Sequence, residues 1–76
     1  MPDRELVLIA DDDAASRDLL DAALRRDGFD TVKAANGRDA LDILRREPVD
    51  LVLLDMHMPF LDGLQTVRAM RRIETL

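Results

Sequence analysis

The 76-residue chain has no cysteine, no tryptophan and no tyrosine, and its single lysine is Lys33. Without cysteine, neither a disulfide framework nor a thiolate metal site can staple the fold. Packing must hold together a chain short enough to bury only on the order of 60% of its surface, so one small domain is the most it can form. No run approaches ~18 apolar residues, the length a membrane-spanning helix needs. The opening MPDREL is acidic and lacks the apolar stretch of a secretory signal, which makes the cytoplasm the expected compartment. Aromatic residues are limited to Phe29 and Phe60, the net charge is −5, and no basic stripe is present. These absences argue against a nucleic-acid surface, which needs cations for phosphates and rings for bases. What is present, 47% hydrophobic and 36% charged residues, is the composition of a folded domain and not of a disordered segment.

The hydrophobic residues fall in two kinds of pattern. Leu6–Ile9 and Leu51–Leu54 are continuous apolar runs, as expected of strands buried on both faces of a parallel sheet. Thr31–Ala34 is a shorter, weaker strand candidate. Ala15, Leu19, Leu20, Ala23 and Leu24 recur at helical spacing, with Asp13 placed to cap the helix and Gly28 to stop it. Arg38–Arg46 repeats the pattern between a capping Asn36 and Pro48. Leu64, Val67, Met70 and Ile73 predict a third helix over Leu64–Ile73. The resulting order, β-α-β-α-β-α, implies βαβ units and an α/β doubly wound parallel sheet. We take its strand order as 2-1-3, with the first helix on one face and the second and third on the other by the right-handed crossover rule.

Both strong strands end in acids: Asp11, Asp12 and Asp13 after the first, Asp55 after the third. Parallel strands bring their carboxyl ends to one edge, and doubly wound sheets bind ligands there, where the strand order reverses. Carboxylates gathered at one edge repel each other, and a proton or a cation must relieve the repulsion. An all-oxygen donor set suits Mg²⁺. A carboxylate can also act as a nucleophile toward phosphorus. A strand-terminal Asp taken singly is as readily a helix cap, and Asp13 is read as one. The joint pattern is more specific: an apolar run with Asp-Asp, then an apolar run with Asp followed by Met-x-Met-Pro-x-x-Asp-Gly.

With LVLIADDDAASRDLL, AANGRDALDIL and VDLVLLDMHMPFLDGL in hand, the sequence resembles the receiver domain of bacterial response regulators across essentially its whole length. The resemblance implies a flavodoxin-like fold, Mg²⁺ held by Asp11, Asp12 and Asp55, and Asp55 also as the residue that accepts a phosphoryl group from a histidine kinase or phosphotransfer protein. It also implies that His57 lends its backbone carbonyl to the metal, its side chain being read as a solvated loop group, and that Pro59 and Gly63 shape the loop. It implies a signalling module and not an enzyme.

Receivers of this family have five βα units, and three are legible, so residues 1–76 are expected to form a truncated receiver domain. The Ser/Thr of the fourth strand and the Lys of the fifth are expected to be missing, as is the output face. The outer edge of the third strand, Leu51–Leu54, is expected to lie open and to drive self-association. Two other functions stand beside the phosphoacceptor. One is a phosphorylation-incompetent receiver-like interaction module. The other is a phosphatase of the haloacid dehalogenase type, whose D-x-D signature Asp11 and Asp13 satisfy but which fails at Ala15 and leaves DMHMP unexplained.

Overall fold

A computed structural model describes residues 4–55 and 72–75, the latter by their backbone. Six elements follow in order: β1 (Leu6–Ala10), α1 (Ala14–Arg26), β2 (Asp30–Ala34), α2 (Gly37–Arg46), β3 (Leu51–Leu54) and β4 (Arg72–Thr75). The strands form one parallel sheet in the order β2-β1-β3-β4. The 2-1-3 order expected from the sequence is therefore present, with a fourth strand beyond it. Among the described residues no helix is long and apolar enough to cross a membrane.

β1 is central, and its continuous apolar run has a plain cause. Val7, Leu8, Ile9 and Ala10 are all completely buried. Strand side chains alternate between faces, and the alternation here divides two environments. Leu8 and Ala10 pack with Ala34, Val52 and Val49 against Ala40 and Ile43 of α2. On the opposite face, Asp21 of α1 accepts a hydrogen bond from the Thr31 hydroxyl and lies 3.9 Å from the Lys33 ammonium. The two helices thus cover opposite faces of the sheet, as the crossover rule requires.

The helix ends are set by local chemistry. Asp13 Oδ2 accepts from the Ser16 N–H at 3.0 Å and from the Ser16 hydroxyl at 2.7 Å. α1 stops in a Schellman motif, with the Phe29 N–H donating to Leu24 O and the Gly28 N–H to Arg25 O. Gly28 adopts φ +94°, a left-handed conformation that a side chain would strain. Asn36 caps α2 by accepting from the Asp39 N–H at 2.8 Å.

Two expectations are corrected. The third helix was placed at Leu64–Ile73; residues 64–71 lie outside the described residues, while Arg72 and Ile73 belong to β4. The outer edge of β3 is not open either. β4 pairs along all of it, from Leu51↔Arg72 to Leu54↔Thr75. An open ladder of N–H and C=O groups is satisfied by any strand that reaches it, and a parallel return needs a connection of a dozen or more residues, which residues 55–71 supply. The open edge that was to drive self-association is filled from within the chain.

Candidate functional site

β1 and β3 stand side by side, joined through Ala10↔Leu54. Their register is tied at the opposite end, where the Asp50 N–H donates to Leu6 O and the Asp50 carboxylate accepts from the Leu6 N–H, both at 2.9 Å. One residue past the ladder, the chains arrive at Asp11 and Asp55. The Asp55 N–H donates to Ala10 O at 2.9 Å, and the Asp11 N–H donates to Ala34 O at 3.1 Å. The sheet thereby holds the backbones of both acids at its carboxyl edge, where the connection runs to β2 on one side and to β3 on the other.

Asp11, Asp12 and Asp55 converge there: one carboxylate oxygen from each lies within 4.8 Å of the other two. Asp11 is 5% exposed, Asp12 is exposed and Asp55 half-buried. Asp11 Oδ1 also accepts from the Asp13 N–H at 2.9 Å, a local turn that sends the chain from strand into helix. Three hard oxygen donors at this spacing fit a small divalent cation, whose preferred ligands are carboxylates completed by water and phosphate oxygens.

The other acids of this region do structural work. Asp13 caps α1, and the hydrogen bonds from the Ser16 hydroxyl and N–H hold its carboxyl below the usual carboxylate range. Asp21 is likewise held low, by the Thr31 hydroxyl first and the Arg25 guanidinium second. Lys33 lies 3.2 Å from Asp18 on the α1 side of the sheet. His57, expected to contribute its carbonyl, lies outside the described residues, as do Pro59 and Gly63. β4 ends at Thr75, whose backbone is in register with Leu54.

The sequence did not single out Arg17. Its guanidinium Nη1 donates to the Asp11 carbonyl at 2.9 Å. By periodicity it is one of the polar residues on the solvent side of α1, and only its place in the first turn, next to an acidic strand end, signals otherwise.

The fold and the site together define a doubly wound α/β protein with an acidic centre at its topological switch point. The family profile described as "Response regulator receiver domain" matches residues 7–76, and the chain belongs to that family. It is 44% identical over 70 residues to the sporulation initiation phosphotransferase F of Bacillus subtilis, covering 92% of this chain and 56% of that protein. Among solved structures, it is similar to CheY6 of R. sphaeroides in complex with the P1 domain of CheA3, with TM-score 0.79 and 34% identity over 97% of this chain and 64% of that one. It is also similar to the structure of the Saccharomyces cerevisiae histidine phosphotransfer signaling protein Ypd1 with the receiver domain of Ssk1, with TM-score 0.71 and 26% identity over 86% of this chain and 45% of that one. The chain thus spans 56% of the length of the first of these relatives. Receiver domains are signalling modules, and membership leaves the dehalogenase-type alternative without support.

Proposed function

We propose that this chain is a receiver module that accepts a phosphoryl group on Asp55 from a phosphohistidine of a histidine kinase or phosphotransfer protein. The convergence of three carboxylate oxygens within 4.8 Å at the carboxyl ends of two adjacent parallel strands supports the reading best. The complexes of CheY6 with a CheA3 domain and of Ssk1 with Ypd1 give the partner class.

In this reading an Asp55 oxygen attacks phosphorus, the donor's P–N bond breaks, and its electron pair leaves on the imidazole nitrogen, which takes a proton from solvent. Asp11, Asp12 and Asp55 would hold Mg²⁺, and the resemblance adds the backbone carbonyl of His57. What the ion supplies when bound is positive charge against the oxygens of the transferring group. Asp11, anchored by its own N–H and by the Asp13 N–H, keeps the acidic edge in place.

One observation favours the competing reading, an interaction module that is not phosphorylated. Lys33, the only lysine in the sequence, is engaged by Asp18 and Asp21 on the α1 side of the sheet, so it is committed elsewhere than the acidic centre. Acetyl phosphate with Mg²⁺, followed by intact mass, separates the two. A single added phosphoryl group that disappears in Asp55→Asn supports the acceptor. No adduct under the same conditions favours the interaction module.

A further inference from the structure

Asp12 is the member of the acidic centre with the least visible support. Asp11 is fixed through its N–H and carboxylate, and the Asp55 backbone through its N–H. The orientation of Asp12 depends on the peptide joining it to Asp11, whose carbonyl oxygen has left the sheet ladder. That oxygen is taken by Arg17. Arg17 enters α1 through its own N–H, which donates to Asp13 O at 3.0 Å. Its guanidinium reaches back past the start of the helix to Asp11 O at 2.9 Å, in a part-buried bond. With the Asp11 N–H on Ala34 O at one side and Arg17 on its carbonyl at the other, rotation of this peptide breaks a charge-assisted bond, the stronger kind.

We infer that Arg17 is a positioning residue for divalent-cation binding: it clamps the Asp11–Asp12 peptide and so aims Asp12 into the acidic centre. The inference rests on the metal reading of that centre. It has a distinctive sign. A guanidinium beside a cation site is repulsive, so if Arg17 acted through charge alone, removing it would tighten the metal. If it acts by holding the peptide, removing it loosens the metal. Supporting groups of this kind are typically worth 10–100-fold in metal affinity.

The test is a titration of the 76-residue chain with Mn²⁺, following free ion by electron paramagnetic resonance, on wild type, Arg17→Met, Arg17→Lys and Asp12→Asn. The expected result is at least about tenfold weaker binding in Arg17→Met, partial recovery in Arg17→Lys, and a metal-free urea midpoint in Arg17→Lys close to wild type. Equal or tighter Mn²⁺ binding in Arg17→Met overturns the inference while leaving the acidic centre intact. So does a Lys variant that folds as well as wild type but binds as weakly as the Met variant. If the wild type itself binds no Mn²⁺, or Asp12→Asn binds as well as wild type, the metal reading fails, and the inference with it.

Discussion

Replacing Asp11 by Asn should stabilise the metal-free protein, although it removes a buried residue of the candidate site. Asn keeps the shape and an oxygen for the Asp13 N–H, and removes one of three formal charges whose oxygens lie within 4.8 Å of each other. Two of the three repulsive pairs vanish. A pair at 4.8 Å is worth about 3.5 kcal/mol at an effective dielectric of ~20 and about 0.9 kcal/mol in bulk water. The pair with exposed Asp12 belongs near the lower value, and the pair with half-buried Asp55 between the two. The sum is about 3 kcal/mol. From it comes about 1 kcal/mol for the weaker bond that a neutral amide oxygen accepts, and a further part because Asp11 and Asp12 remain neighbours in the unfolded chain. A net gain of about 1–2 kcal/mol remains, which raises Tm by roughly 4–16 °C in a domain this size. Far-UV circular dichroism melts in chelator should show it. Mg²⁺ should then close the gap, because a ligand at ten times its Kd stabilises the wild type by about 1.4 kcal/mol and the variant by less. A variant that melts below wild type in chelator, or Mg²⁺ that lifts both midpoints equally, refutes the reasoning.

The remaining predictions concern the frame around the site. Leu8 is fully buried and Leu19 is 74% exposed, so in urea titrations Leu8→Ala should cost about 2–5 kcal/mol and Leu19→Ala no more than about 0.5 kcal/mol; equal losses would contradict the core assignment. Asn36→Ala removes the cap on α2 and should cost about 1 kcal/mol in the same titrations. Asp21 has a folded pKa below its ordinary 3.8, so its contribution is fully present above that value and is lost as pH falls from there through the folded pKa. Asp21→Asn should therefore flatten the fall in stability below about pH 4, and a denaturation series from pH 5 to pH 2 with the same slope as wild type would count against it.

Much of the fold was legible because its determinants are local or periodic. Asp13, Gly28 and Asn36 act within a few residues of themselves, and they cap and stop the helices where expected. The runs at Leu6–Ala10 and Leu51–Leu54 have the composition that burial on two faces demands. Asp11, Asp12 and Asp55 could be brought together on paper because strand polarity and a short list of permitted topologies do most of the placement. β4 was missed because Leu64, Val67, Met70 and Ile73 carry a helical spacing, whereas the reason for a strand at Arg72–Thr75 lies elsewhere, in the backbone groups of β3. The sequence did reveal that β3 needed a neighbour, but not that the chain itself would supply it. Arg17 was missed for a related reason: nothing in a row of polar helix residues says that one of them turns back to a carbonyl six positions earlier.

The pairing of β1 with β3 carries a consequence for how the protein matures. Its acidic centre draws two carboxylates from one end of a long chain loop and the third from the other, since Asp12 and Asp55 are separated by the whole of α1, β2, α2 and β3. The entropy of closing that loop must be met before any reward from the contact. A partly folded chain in which β1, α1 and β2 have already assembled would therefore own two carboxylates and no centre. On the metal reading of that centre, cation uptake reports the docking of β3: in stopped-flow refolding, uptake of Mn²⁺ should lag the recovery of helical signal.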